Sequence, residues 1–156
     1  MRRRLRNGLI VLVVAIAGAQ LVRPERSNPA ALADRAMETR VQVPAEVASI
    51  FKRACDDCHS NRTRWPWYSH VAPVSWMVAH HVKEGREHLN FSDWNAPDNN
   101  ESAHLVSEIC KEMREHEMPL RPYLPLHPEA RASEADIAAV CAWSDAESGR
   151  LAGRRR

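Results

Sequence analysis

This sequence predicts an all-α domain, on three observations. Four stretches carry apolar residues at helical spacing, no stretch alternates apolar and polar residues with period two, and Pro, Asn and Asp collect between the four. The chain has 156 residues and a formal net charge of +2, which suits one domain plus an accessory segment. That charge is too small to argue for a nucleic-acid partner. The basic residues gather at the two ends, at Arg2, Arg3, Arg4 and at Arg154, Arg155, Arg156.

In chain order, the first feature is a leader. Residues 1–7 hold four arginines, residues 8–22 hold no charge and are almost entirely apolar, and Arg23 ends the run. A basic segment followed by an apolar one is the pattern of an export signal. Residues 1–22 are therefore read as a signal peptide or a membrane anchor. Ala17-Gly18-Ala19 has the small-x-small form of a cleavage site, with release after Ala19. The anchor is the favoured outcome, although a span needs roughly 20 apolar residues, with Arg6 and Arg23 placed to snorkel. Arginines on the Met1 side put the rest of the chain outside the cytoplasm, at the inner membrane.

Residues 23–43, with Pro24 and Pro29 and no apolar period, read as a linker. Residues 44–148 form the domain, and 149–156 a basic tail. The first domain helix spans about 44–59, with Val47, Ile50, Phe51 and Ala54 on one face. The second spans about 73–87, with Val74, Met77, Val78, His81 and Val82 inward. The third covers 101–116, with Leu105, Val106, Ile109, Cys110 and Met113 inward. The fourth starts at Ser133, with Asp136 three residues on as a capping pair, and turns Ile137, Val140, Cys141 and Ser144 inward, with Trp143 beside them.

Cys55-Asp56-Asp57-Cys58-His59 ends the first of these helices. It is C-x-x-C-H, the attachment signature of c-type haem. Positions i, i+3 and i+4 of a helical turn share a face. Two thiols can therefore reach the two vinyl groups on one side of a porphyrin while the imidazole meets the iron. Cys55 and Cys58 are the expected covalent attachment points of one haem, and His59 its proximal ligand. Zinc would need four ligands, and Cys110 and Cys141 make no second pair in sequence. A thioredoxin-like pair would open a helix after a strand, whereas this pair ends one. For the sixth iron ligand, Met118, on the loop after the third helix, is the expectation; His81 is the rival, with Met77 behind it and Met113 read as core packing.

Several strings in order are similar to the bacterial haem-binding domain family: Cys55-Asp56-Asp57-Cys58-His59-Ser60-Asn61, Trp65-Pro66-Trp67-Tyr68-Ser69, Val71-Ala72-Pro73-Val74-Ser75-Trp76, His81-Val82, Gly85-Arg86 and Leu89-Asn90-Phe91-Ser92-Asp93-Trp94. Glu117-Met118-Pro119, Tyr123, His127-Pro128 and residues 133–143 extend the resemblance, which covers about residues 20–145. It implies a haem site, in a family whose members occur joined to cytochrome c or di-haem peroxidase modules. The layout also resembles a class I cytochrome c fold, a helical domain around one haem. That likeness implies a proline carbonyl, at Pro73 or else Pro66, accepting the proximal histidine's ring N–H. It also carries the distal methionine over to Met118 by loop position.

Trp65, Trp67 and Trp76 are read as lining the haem pocket or filling the core, with Trp76 assigned to the cofactor. Asn61, Arg62 and Arg64 are candidates for the haem carboxylates, or solvated polar groups. Cys110 and Cys141 face inward and are read either as a disulfide or as buried thiols.

The favoured function is a periplasmic electron-transfer cytochrome with an unidentified redox partner protein or complex. The alternative is a haem peroxidase-like enzyme or a gas or redox sensor with an open distal site, where His80, His81 or His88 would act as acid or base.

Overall fold

The computed structural model describes residues 1–153; the expected basic tail at 154–156 lies outside the described residues. The described chain is all-helical: α1 (Arg2–Ala19), α2 (Ala45–Ala54), α3 (Asp56–His59), α4 (Val74–His88), α5 (Asn99–Arg114) and α6 (Glu134–Gly153), with no strand among the described residues. Single 3-10 turns at Ala33–Arg35, Met37–Thr39, Trp67–His70 and Pro128–Ala130 punctuate the connections.

The body of the domain is an antiparallel pair. On α5, Val106, Ile109, Cys110 and Met113 are buried, and on α6 Ile137, Val140, Cys141 and Trp143 meet them. These are the faces the apolar spacing predicts. The Asp98 side chain caps α5, accepting from the N–H groups of Asn100 and Glu101 at 2.8 and 2.9 Å. Ser133 and Asp136 form the expected reciprocal cap on α6, with Ser133 N–H to Asp136 Oδ2 at 2.7 Å and Asp136 N–H to Ser133 Oγ at 3.2 Å. Ser144 Oγ donates to the Val106 carbonyl at 2.8 Å. Cys110 and Cys141 are joined by a disulfide across a separation of 31 residues. Helix α2 lies over this pair, with Phe51 stacked on Phe91 at 5.0 Å and edge-on to Trp143 at 5.3 Å.

The structure corrects four of the expectations. The segment 23–43 is a strap packed on the domain rather than a free linker. Met37 and Val41, four apart, are 2% and 1% exposed, and the Met37 N–H donates to the Phe91 carbonyl at 2.9 Å. Met37 and Val41 make a single helical step in a stretch that opens with two prolines, too little periodicity to be seen beforehand. The tail expected from 149 instead continues α6 to Gly153, because Val140, Ser144, Glu147 and Leu151 prolong the buried face by steps of four, three and four. On α4, Val74 and Met77 face outward, 38% and 42% exposed, and the buried line is Ser75, Val82 and Gly85.

The fourth correction concerns the membrane anchor. No helix among the described residues is long and apolar enough to cross a membrane. Helix α1 begins with the arginines and ends at Ala19, so its apolar part is residues 8–19. At 1.5 Å per residue that rises about 18 Å, against a hydrocarbon core of about 30 Å. Beyond α1 the Gln20 side chain brackets Ala72, accepting its N–H at 2.9 Å and donating to its carbonyl at 3.2 Å.

Candidate functional site

The C-x-x-C-H segment does not sit on one unbroken helix. Helix α2 ends at Ala54, and Cys55 departs from helical geometry, with φ −123° and ψ −37°. The Cys55 carbonyl then accepts from Cys58 N–H at 3.1 Å and His59 N–H at 2.9 Å, which winds the tight turn α3. The kink keeps Cys55, Cys58 and His59 at i, i+3 and i+4 on one turn. Both cysteines are free thiols. Burial pushes Cys55 up to about 12, with Asp56 and Cys58 adding to it, and Cys58 up to about 11, with Asp57 adding. A thioredoxin-like redox pair needs the opposite shift, toward thiolate at neutral pH. Among the described residues, no group of three or more His, Cys, Asp or Glu side chains is arranged to hold a metal ion.

The two intervening aspartates fold the following loop back on the motif. Asp57 accepts from Arg64 three times, from its backbone N–H at 3.1 Å, its Nε at 3.2 Å and a terminal guanidinium nitrogen at 3.1 Å, and from the Tyr123 hydroxyl at 2.9 Å. Thr63 Oγ1 donates to the Asp57 carbonyl at 2.8 Å, and Ser60 Oγ to the Asp56 carbonyl at 2.7 Å. Arg64 is thereby committed to the motif's own carboxylate, and Arg62 approaches Asp56 at 3.7 Å. Asn61, buried, donates to the Ala30 carbonyl and accepts from Asn90. Asn61 and Arg64, two of the three haem-carboxylate candidates, therefore serve as scaffold.

Helix α4 closes against the motif because residue 85 is glycine. A Cβ there would lie 2.8 Å from the Cys58 carbonyl oxygen and 3.3 Å from the Cys58 Cβ. That close approach brings the Leu89 carbonyl, just past α4, to 3.0 Å from His59 Nδ1. A carbonyl only accepts, so Nδ1 carries the proton and Nε2 keeps its lone pair. Burial holds the His59 pKa below the ordinary histidine value, so the ring is neutral near pH 7. This overturns the proline expectation. The Pro73 carbonyl accepts from Trp76 N–H at 3.1 Å, and the Pro66 carbonyl from Ser69 N–H at 3.0 Å. Each is used by a local turn, while the His59 ring N–H goes to Leu89.

Trp76, expected at the cofactor, lies at the surface of α4. It is 38% exposed, and its indole donates to the Val22 carbonyl at 2.8 Å, so it fastens the strap to the surface of α4. Trp67 is 75% exposed. Met118 lies half-buried in the loop after α5, its N–H on the Glu112 carbonyl at 3.2 Å. His81 is half-buried on α4, one turn before Gly85.

Sequence reasoning assigned no role to four side chains that build the site: Arg86, Tyr123, His127 and Tyr68. Arg86 donates to the Ser60 carbonyl, the Ser27 carbonyl, Asn28 Oδ1 and Thr63 Oγ1, all at 2.8–2.9 Å, and so ties strap, loop and α4 together. Tyr123 stacks flat on His127 at 3.9 Å, and the Tyr68 hydroxyl lies 2.6 Å from His127 Nε2. Burial, then the bond to Asp57, raises the Tyr123 pKa well above the usual phenol value. The only advance signal for these residues was their presence in the family-like strings.

No curated protein and no solved structure is significantly similar to the chain. The sequence profile described as "haem-binding domain" matches residues 14–146. That match takes in the strap, the C-x-x-C-H turn, the α4 clamp and the α5–α6 pair, and by it the chain belongs to the haem-binding domain family.

Proposed function

We propose that this protein carries one covalent c-type haem and transfers single electrons outside the cytoplasm. Cys55 and Cys58 form the two thioether links, and His59 Nε2 is the proximal ligand. The observation that carries this reading is the C-x-x-C-H turn itself: two free thiols and an imidazole on one face, with Nδ1–H held by the Leu89 carbonyl. Such a bond fixes the tautomer and strengthens Nε2 as a donor. Bound haem supplies a one-electron ferric–ferrous couple, whose potential depends on the axial ligands. The residues present fit that group, because the thiols are protonated and unpaired, Nε2 is uncommitted by Nδ1, and one buried indole donor near the motif lacks a partner. Met118 is proposed as the second axial ligand, on its position in the loop after α5.

An exported location is part of the same proposal. The Cys110–Cys141 disulfide favours an oxidising compartment. Helix α1 then acts as an export signal, and cleavage after Ala19 leaves Gln20 as the first residue, clasped on Ala72.

The test is expression with a haem-attachment system, comparing wild type with Met118→Ala. Haem that resists acid–acetone extraction, a six-coordinate ferric spectrum slow to take cyanide, and loss of its weak far-red sulfur-to-iron band in the variant are expected. Extractable haem overturns the covalent reading. Identical spectra that bind cyanide rapidly overturn Met118 and favour the open-site enzyme or sensor.

A further inference from the structure

The indole of Trp65 is the anomaly of the site. Its Nε1 is buried and has no hydrogen-bond partner. The buried tryptophans behave otherwise: Trp94 donates to Ser102 Oγ at 3.1 Å and Trp143 to the Gln42 carbonyl at 2.7 Å. Even the partly exposed Trp76 has its acceptor. A buried donor left unpaired is destabilising, so an acceptor is missing at that point.

The position of Trp65 says what kind. Thr63 is bonded to the Asp57 carbonyl and Arg64 to the Asp57 carboxylate, so the chain at 63–64 is pinned to the residue between the two cysteines. Trp65 follows directly. Arg62, three positions earlier in the chain, is 58% exposed and only loosely placed 3.7 Å from Asp56. The apolar rim of a porphyrin offers an indole N–H one strong acceptor, the carboxylate of its propionate arms. An acceptor that is also anionic makes the stronger bond.

We propose that Trp65 Nε1–H is the buried donor that would hold a propionate of the bound haem. Trp65 binds the cofactor, and Trp67 and Trp76 do not share that role. The inference rests on the covalent-haem reading above.

The experiment uses the full-length haem-loaded protein, labelled with 15N-tryptophan, beside Trp65→Phe and Trp67→Phe. Covalent haem is measured first, by haem staining of the denatured chain. If no haem is attached, both the function and this inference fall. With haem attached, three results are expected. The Trp65 indole N–H signal, assigned by its loss in Trp65→Phe, exchanges slowly with water. The propionate bending band in the resonance Raman spectrum shifts in Trp65→Phe. The same band stays put in Trp67→Phe. An unshifted band in Trp65→Phe overturns the inference while leaving haem attachment intact. Should Trp65→Phe not accumulate, the wild type decides, with the Trp65 indole signal assigned through its own backbone connectivity in 13C,15N-labelled ferrous protein. An indole N–H signal at the same position in ferric and ferrous protein places the group away from the haem and overturns the inference.

Discussion

The α5–α6 pair and the motif lobe formed by α3, α4 and the loop between them are built on different physics. The pair buries a continuous apolar face and is crosslinked by Cys110–Cys141. The lobe buries Ser60, Asn61, Thr63, Ser69 and Ser75 and is held by side-chain-to-backbone hydrogen bonds centred on Asp57 and Arg86. The pair is therefore held by burial and a crosslink, whereas the lobe is a polar scaffold whose donors are bonded to its own chain. Each lobe bond contributes only about 1 kcal/mol net but fixes direction, which apolar contacts do not.

The largest expected effect separates the two regions. Replacing Cys110 and Cys141 by alanine removes a crosslink across 31 residues and should lower the unfolding free energy measured by urea titration by roughly 3–4 kcal/mol. Haem yield at Cys55 and Cys58 should stay near wild type; a matching loss of haem would mean that the regions are not independent.

Next comes Gly85→Ala, which forces a Cβ onto the Cys58 carbonyl and should destabilise by about 1–3 kcal/mol while reducing haem attachment. Gly149→Ala is its control. Nothing lies within 4 Å of the Cβ it would add on α6, so it should be neutral or gain up to about 1 kcal/mol.

A third test reads the thiols. In haem-free protein, Cys55 and Cys58 have pKa values raised to about 12 and about 11 from 9.0. Alkylation should be slow at pH 8 and climb steeply only above pH 10, since the thiolate is the nucleophile. Fast labelling at pH 8 would show that the lobe does not shield the motif. Because the folded values lie above the unfolded ones, this contribution to stability is complete below pH 9 and is lost as pH rises through them.

The smallest effect belongs to the α2–α6 seam. The Arg53 guanidinium, 2.6 Å away, holds Asp136 at about 2 rather than 3.8. Unfolding therefore takes up a proton in acid. The stabilisation is present above about pH 4 and fades as pH falls toward 2. Asp136→Asn should flatten that part of the stability profile, and an unchanged profile would remove the seam from the account.

Much of the α5–α6 pair was legible in the sequence, because helical spacing is a local signal: Val106, Ile109, Cys110, Met113, Ile137, Val140 and Cys141 are all buried as expected. The lobe was less so. Val74 and Met77 carry the right spacing on α4, yet the buried line runs through Ser75 and Gly85, residues that no hydrophobicity pattern marks. Close approach to Cys58 selected them, and approach is a property of two elements at once.

By itself the sequence determined the helical class, the cap at Ser133, and the placing of Cys55, Cys58 and His59 on one turn, since each depends on residues within four positions of one another. Only the tertiary structure decided that Leu89 rather than Pro73 holds the His59 ring, that Arg86 gathers strap and loop, and that Trp65 is left with a buried, unpaired donor. Those outcomes join groups 26 to 59 residues apart or depend on what surrounds them. They follow from how closely α4 can lie on the motif, which the missing Cβ of Gly85 sets.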